Sequence, residues 1–562
     1  MPSITLNGRV CEFQPGQLIL QVANQAAIDV PQYCYHDGLS VVASCRICLA
    51  EIWMPDKASG KLAPYMGGKL FPTCQTACID GMVVYTDSPK AVANQKAVME
   101  YLLINHPLDC PVCDQAGECY LQDYSYEYGR GVSRFEEAKV KNPKKDLGPT
   151  ILLYSDRCIM CTRCVRFTRE VAGTSELLVA GRGNREEIDV FPGQALDNPL
   201  AGNVVDLCPV GALLDKDFLF AQRVWFLKET PSIDGITASG DNISVHHNDG
   251  KVYRLKPRTN MAVNKWWITD EVRHGWKFVQ REDRLSQPVR RQFGARVPAD
   301  WHRAYADACA LLSAQEAAGK RVALMVSPML SCEDAFALAS AALAIDERAI
   351  LAVGPVPVHG QDQLFPVGAK ADDPKAFRVS AEKAPNARGV RRVLEALAQA
   401  RGLGPVLSAD QLKAELRVAN IGAAIVTGNY PSDWVTPDLA EALRGKVLVL
   451  IDTLPTQLTD TADIVLPSAT WLEKAGTFQN HRNLLQAFEQ AIPAREGARA
   501  EVQIGLDLLA AATGAASAPY NAADVRQQMA RAVPALAEMA TGVSLPKPTT
   551  PSAQPDMAVV EL

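Results

Sequence analysis

From His106 to Cys119 the chain reads His-Pro-Leu-Asp-Cys-Pro-Val-Cys-Asp-Gln-Ala-Gly-Glu-Cys, which places one imidazole and three thiols within a single short stretch. Pro107 and Pro111 stand beside two of these ligand candidates and keep the backbone from coiling into plain helix. Gly117 supplies torsions that other residues resist. Uneven, closely spaced soft ligands on a non-helical loop are what a wrapped metal centre requires. The rival reading of this stretch is a structural zinc site of Cys₃His type.

Two further cysteine groups flank it. Upstream are Cys34, Cys45 and Cys48, with Cys74 and Cys78 later. The plant-type [2Fe–2S] pattern is Cys-x₄-Cys-x₂-Cys with a distant fourth cysteine. Here the Cys-x₂-Cys pair and the distant cysteine are kept, but the first gap is longer. Spacing leaves Cys74 and Cys78 open as the fourth ligand. Cys11 lies in the first hairpin and reads as a small buried hydrophobe. Downstream, Cys158, Cys161 and Cys164 form the Cys-x₂-Cys-x₂-Cys run of bacterial ferredoxins. Thr168 stands where a fourth cysteine would follow, and a lone Cys208-Pro209 appears later. The simplest account is a two-cluster module reduced to one cluster, closed by Cys208. With ferredoxin motifs on both sides, the central stretch reads as a [4Fe–4S] cluster with His106, Cys110, Cys113 and Cys119 as ligands. Exchanging a thiolate for neutral imidazole removes negative charge and makes reduction easier.

The elements that must position these ligands can be read around them. Ile4-Thr-Leu and the Gly8 turn begin a hairpin, and a short amphipathic helix follows Gln17. After Cys48, Leu-Ala-Glu-Ile-Trp reads as a strand leaving the cluster loop, an order that suits a β-grasp ferredoxin. Residues 55–72 read as a surface loop inserted before the last ligand. Lys90 to Asn105 has helical periodicity and delivers His106. Beyond residue 218 the pattern changes. Asp241 to Leu255 reads as a hairpin. The apolar runs from Val322, Ala423 and Lys446, with an Ala-rich helix from Cys332 to Leu343, predict a parallel α/β sheet. Cys309 and Cys332 read as core residues.

The chain has 562 residues, 48% of them hydrophobic and 21% charged, with a net charge of −6. That length implies several domains, and the mild acidity argues against a nucleic-acid surface. No apolar run approaches the ~18–20 residues of a membrane span. Met1 to Val10 reads as strand and turn, not as a signal or transit peptide, so the protein is expected to stay in the compartment where it is made. Thirteen of the 15 cysteines fall in the first 208 residues. Crowding of this kind in a large chain favours metal ligation over a disulfide scaffold.

The motif order resembles the large iron–sulfur subunit family of respiratory complex I (the G-type subunit in bacteria, the 75 kDa subunit in mitochondria). The resemblance rests on Ser44–Ile52, Asn105–Cys119, Arg157–Phe167, Gly181–Asn184 and Gly202–Leu213. It implies Cys34, Cys45, Cys48 and Cys74 as [2Fe–2S] ligands, with Cys74 preferred over Cys78. It implies [4Fe–4S] clusters at His106, Cys110, Cys113 and Cys119, and at Cys158, Cys161, Cys164 and Cys208. Some bacterial members carry one more cluster just beyond, but residues 209–308 contain no cysteine, so that cluster is expected to be missing. Ala221–Asp234 and the segment from Asp463 to Asn480 resemble parts of molybdopterin oxidoreductases. No convincing molybdenum-ligating cysteine accompanies them.

The expected fold is therefore multidomain, α+β and α/β. A [2Fe–2S] β-grasp ferredoxin domain spans 1–83, a His-Cys₃ [4Fe–4S] domain 84–125 and a [4Fe–4S] ferredoxin-like domain 126–217. A molybdopterin-oxidoreductase-type region without a cluster spans 218–275, a vestigial α/β region 276–513, and an Ala/Pro-rich tail, expected to be partly disordered, 514–562. The implied function is electron relay from an NADH/FMN site toward quinone, as a component of NADH–quinone oxidoreductase. No catalytic substrate site, molybdenum or flavin of its own is expected, since no G-x-G-x-x-G fingerprint lies between a strand and a helix. The implied partners are the NADH/FMN-binding subunit, the small [2Fe–2S] subunit and quinone-side iron–sulfur subunits. The implied place is peripheral, on the cytoplasmic side of a bacterial inner membrane. The alternatives are the electron-transfer part of a formate dehydrogenase or NAD-linked hydrogenase, or a protein whose clusters only brace the fold.

Overall fold

The structure is a computed structural model, described for residues 1–56, 60–370, 372–418 and 420–546. It divides into two compact units, Met1–Leu227 with Leu364–Phe377, and Lys228–Gln363 with Arg378–Leu562.

The first unit opens with β1 (Ser3–Leu6) and β2 (Arg9–Glu12), an antiparallel hairpin. Its turn is Asn7-Gly8, both at positive φ (48° and 80°), the conformation a tight hairpin turn demands. Helix α1 (Ile19–Gln25) buries Ile19, Leu20, Val22 and Ala23. Strand β3 (Leu49–Pro55) leaves the Cys45–Cys48 loop and pairs with β4 (Leu62–Pro64), β5 (Leu70–Pro72) and β6 (Val83–Tyr85). The strand order β2-β1-β6-β3-β4, with β1 and β6 parallel, makes the ferredoxin-type sheet. Residues 62–72, expected as loop, instead return to β3 as two short strands.

Helix α2 (Pro89–Leu103) starts at Ser88, whose Oγ accepts from Ala91 N–H at 3.3 Å, a standard N-cap. Helix α3 (Tyr120–Glu127) starts directly after Cys119. The third segment builds a three-stranded sheet from β7 (Lys144–Asp146), β8 (Ile151–Tyr154) and the later strand Leu213–Asp215. Helix α4 (Arg163–Phe167) begins within its cysteine run and carries Cys164. This unit extends past the expected boundary at 217. Phe220 N–H donates to the Asp114 carboxylate at 2.9 Å, and Arg223 reaches the carbonyls of Cys110 and Cys113 at 3.0 and 3.1 Å. Residues 364–377 also join it. Val367 N–H donates to Ala172 C=O at 3.0 Å, over Gly173, where any Cβ would meet the Val367 nitrogen at 2.5 Å.

The second unit holds the expected hairpin, Asn242–Asn248 with Lys251–Pro257. Its main sheet has Ile350–Val353, Arg321–Val326, Ile421–Thr427, Val447–Asp452 and Ile464–Pro467 in parallel, edged by an antiparallel hairpin. The expected parallel α/β sheet is thus present. Counted from Arg321–Val326, the order is 2-1-3-4-5, a doubly wound arrangement. Cys309 and Cys332 are buried in this unit's core. The expected tail from 514 includes a helix, Ala522–Ala532, whose Val525 and Met529 are buried in the same core. Residues 547–562 of that tail lie outside the described residues.

Lys474 is buried between Asp334, at 2.8 Å, and Glu501. The two carboxylates hold its ammonium charged against desolvation. Removing one member of a buried ion group leaves charge uncompensated, which costs about 3–5 kcal/mol. Lys474→Met should therefore lower the stability of the second unit, read from its denaturant transition, by that amount, while Arg444→Ala, at an exposed ion pair, should leave it nearly unchanged.

Candidate metal centres

The binuclear candidate is built on the loops around α1, β3 and β5. Cys34 follows α1, Cys45 and Cys48 flank Arg46 (φ 58°) before β3, and Cys74 follows β5. Thr73 N–H and Oγ1 both donate to Cys48 C=O, at 3.2 and 3.0 Å, so the segment carrying Cys74 is pinned to the Cys48 loop. Cys34 Sγ and Cys45 Sγ lie 3.5 Å apart, and Cys74 is in hydrogen-bonding contact with both Cys34 and Cys48. This mutual thiol bonding pulls Cys34 down and pushes Cys45 and Cys74 up. Cys78 is not part of the group. Burial, with Cys11 nearby, pushes its thiol up to about 11. Cys34/Cys45 and Cys48/Cys74 make two pairs, the arrangement that two irons held by two thiolates each would use.

In the central stretch, α2 ends at Leu103 and the chain runs out to His106. A 3₁₀ turn, Cys110–Val112, carries the first thiol. Gly117 adopts φ 93°, and Cys119 stands at the N-terminus of α3. Cys113 and Cys119 are buried and Cys110 is exposed. Burial, then the charges of Arg157 and Lys139, lower His106 to about 4, so its imidazole is neutral at physiological pH and a nitrogen is available to a metal. Burial raises Cys113, and raises Cys119 to about 12; only a bound metal would deprotonate such thiols at neutral pH.

The third group surrounds an apolar cavity lined by Cys158, Cys161, Cys164 and Cys208, with Ile188 and Leu213 among its walls. Met160 (φ 53°) and Thr162 (φ 59°) coil the loop inward, and Met160 N–H donates to Cys158 Sγ at 3.4 Å. Backbone N–H groups of Val210, Ala212 and Leu213 bond to Cys208. Burial raises Cys158 to about 12 and Cys161 to about 11. Nearby, Arg163 Nε and Arg166 Nε are buried donors without a partner among the described residues. A four-thiol cavity ringed by amide donors, with buried N–H groups left over, fits an anionic cluster that brings its own sulfide acceptors.

The three groups adjoin one another. Arg166 donates to Cys34 C=O and Ser40 C=O, and to Cys161 C=O at 3.3 Å. Tyr120 N–H, next to Cys119, donates to Pro209 C=O, next to Cys208, at 3.1 Å. Tyr33, beside Cys34, packs edge-on against Tyr124 of α3 with centroids 5.3 Å apart.

Gly211 was not singled out by sequence, yet a Cβ there would stand 2.3 Å from Cys113 Sγ. A free thiol could rotate away, but a ligating one could not without releasing its metal. Gly211→Ala should therefore leave a folded protein that has lost the His106-site cluster, read as about four fewer irons per chain and the loss of one tetranuclear EPR signal.

Models of known domains match the chain in the same order. Residues 2–89 match a 2Fe-2S iron-sulfur cluster binding domain. Residues 95–134 match an NADH-ubiquinone oxidoreductase-G iron-sulfur binding region. Residues 148–214 match the ferredoxin-like domain of NADH-quinone oxidoreductase subunit 3. Residues 227–277 match an NADH-ubiquinone oxidoreductase NDSU1/NuoG-like, 4Fe-4S domain, although they hold no cysteine. Residues 367–511 match molybdopterin oxidoreductase. Among curated relatives, the G-type subunit of NADH-quinone oxidoreductase from Rickettsia bellii is 38% identical over 304 residues, 54% of this chain and 43% of that protein. The NADH-ubiquinone oxidoreductase 75 kDa subunit of Reclinomonas americana is 39% identical over 305 residues, 54% of this chain and 42% of that one. The mitochondrial NADH dehydrogenase (ubiquinone) iron-sulfur protein 1 of Solanum tuberosum is 41% identical over 304 residues, 54% and 39%. The match thus spans roughly two fifths of each relative's length. Among solved structures, an NAD+-reducing [NiFe]-hydrogenase covers 40% of this chain and 91% of its own at 27% identity, with a TM-score of 0.35. Over the matched half, with its iron–sulfur domains in the expected series, the chain is homologous to the large iron–sulfur subunit family (G-type, 75 kDa) of NADH–quinone oxidoreductase.

Proposed function

We propose that this chain is an electron-relay subunit of an NADH–quinone oxidoreductase, holding one [2Fe–2S] and two [4Fe–4S] clusters. The [2Fe–2S] ligands are Cys34, Cys45, Cys48 and Cys74. One [4Fe–4S] cluster takes His106, Cys110, Cys113 and Cys119, and the other takes Cys158, Cys161, Cys164 and Cys208. Single electrons pass through these sites from an NADH/FMN-binding partner, by way of this subunit, to quinone-side iron–sulfur subunits. The complex holds the chain peripherally on the cytoplasmic side of a bacterial inner membrane; no helix among the described residues is long and apolar enough to cross one.

The observation that carries this reading is adjacency. One guanidinium, Arg166, bonds to the carbonyls of Cys34 and Cys161, and one backbone hydrogen bond joins the neighbours of Cys119 and Cys208. Clusters that only brace a fold have no need to stand side by side. The chain's own part is to hold the ligands, aim amide N–H groups at the sulfurs and exclude water; these settings fix potential.

The second unit is read as a scaffold without molybdenum. In a doubly wound sheet, ligands bind in the crevice beyond the carboxyl ends of the strands. Here residues that follow the strands bond to one another at that end. Tyr430 is buried, stacks on Trp434 and donates to Pro355 C=O at 2.7 Å. Asn429 reaches Ala469 C=O and Glu501, both at 2.7 Å.

The test is a dithionite titration followed by EPR on anaerobically purified protein. Relay predicts three signals that appear and vanish reversibly. Clusters that never change oxidation state would leave only the bracing role.

A further inference from the structure

The cysteine run of the third site is interleaved with arginines, Asp156-Arg-Cys-Ile-Met-Cys-Thr-Arg-Cys-Val-Arg-Phe. Arg157, Arg163 and Arg166 are all nearly fully buried, at 3%, 6% and 3% exposure. A buried cation is costly unless something nearby compensates it. The two terminal nitrogens of Arg166 donate to backbone carbonyls, those of Cys34 and Ser40 at the binuclear site and Cys161 at its own. Arg157 faces the other way. It bonds to Asp109, the neighbour of Cys110, at 2.8 and 3.1 Å, and to Gly211 C=O at 3.4 Å, where Gly211 itself lies against Cys113 Sγ. Its guanidinium stacks on Tyr154, 3.9 Å from the ring centroid. Each of these two arginines therefore sits at one junction between neighbouring cysteine groups, with its own ligand loop on one side and a different one on the other.

We infer that Arg166 and Arg157 are shared charge-compensating residues, each setting the potentials of two neighbouring clusters at once. Arg166 serves the binuclear and Cys158 sites, and Arg157 serves the His106 and Cys158 sites. The inference rests on reading the three groups as clusters. Its physical basis is Coulombic. A buried guanidinium stabilises an added electron on either side. Arg166 is bonded to neutral carbonyls. Arg157, itself buried, is paired with the part-exposed Asp109 carboxylate, which its removal would leave unopposed beside the His106 site. The Cys158 cluster follows Arg157 directly in the chain and has Arg166 on the Cys161 carbonyl, so its reduction is then helped by both.

The experiment is a redox titration followed by EPR on the full chain, comparing wild type with Arg166→Gln and Arg157→Gln, with iron counted in each. Arg166→Gln should lower the binuclear and Cys158-site potentials together and leave the His106 site in place. Arg157→Gln should lower the His106-site and Cys158-site potentials and leave the binuclear one. Arg166→Lys and Arg157→Lys, which keep the charge, should recover most of each shift, which a merely structural role would not do. Full iron with unchanged potentials, a shift confined to one cluster, or the same shift at all three from either variant would overturn the inference. Where a glutamine variant loses iron, the lysine variant decides: full iron with potentials near wild type supports the charge role, and loss of iron from the lysine variant overturns it. A wild-type protein without three reducible signals would overturn the cluster reading itself and this inference with it, whereas three wild-type signals with unmoved variants would overturn only the arginines' role.

Discussion

Cys74→Ser removes the binuclear EPR signal and about two irons per chain, while Cys78→Ser leaves both. The two cysteines are four residues apart, and spacing alone treats them as equals. The difference lies in what anchors each. Thr73 ties the Cys74 backbone to Cys48 through two hydrogen bonds to one carbonyl, which presents the Cys74 thiol to Cys34 and Cys48. Cys78 is held by its own N–H to Gln17 C=O, at 2.8 Å, beside the start of α1, and its thiol neighbour is Cys11 of the first hairpin. Serine at 78 costs a small buried sulfur contact; serine at 74 costs a ligand. Loss of the signal in Cys78→Ser with retention in Cys74→Ser would reverse the assignment.

His106→Cys keeps a tetranuclear cluster and lowers its potential. The imidazole is neutral, since burial and the nearby Arg157 and Lys139 charges oppose its protonation. Exchange for thiolate therefore adds a full negative charge to the site. Two histidines for two cysteines raise a Rieske centre well above a plant-type ferredoxin, so one exchange is expected to move the potential on the order of 100 mV downward. EPR-monitored titration of wild type and variant measures it. An unchanged potential would mean that His106 does not ligate. The sign has a second consequence. Because the imidazole of the metal-free fold is depressed below its ordinary value by burial and by the Arg157 and Lys139 charges, it stays neutral and available to a metal until pH falls toward about 4.

Much of this was legible in the chain. The cysteine spacings point to three groups, and the strand–helix alternation after residue 321 points to the parallel sheet, because ligand spacing and hydrophobic period are local properties. Contacts across the fold were not legible. The long gap between Cys34 and Cys45 reads only as a departure from the plant-type pattern. In the fold it carries Ser40 out to Glu170 and Arg166, where Ser40 N–H and Oγ donate to the Glu170 carboxylate at 2.8 and 2.6 Å. Residues 62–72 read as a loop because their apolar runs are short; pairing with β3 organises them. Gly211 carries no signal of its own, since the need for a missing Cβ is created by Cys113 from a stretch far away in sequence. Likewise nothing local to Arg223 announces its bonds to the carbonyls of Cys110 and Cys113.

The most direct measurement is metal analysis of the full chain purified without oxygen, counting iron, zinc and molybdenum per polypeptide. Two tetranuclear centres and one binuclear centre predict about 10 irons, with zinc and molybdenum at background. A colourless protein holding about one zinc at each thiol group, or holding no metal, would contradict the account at its base.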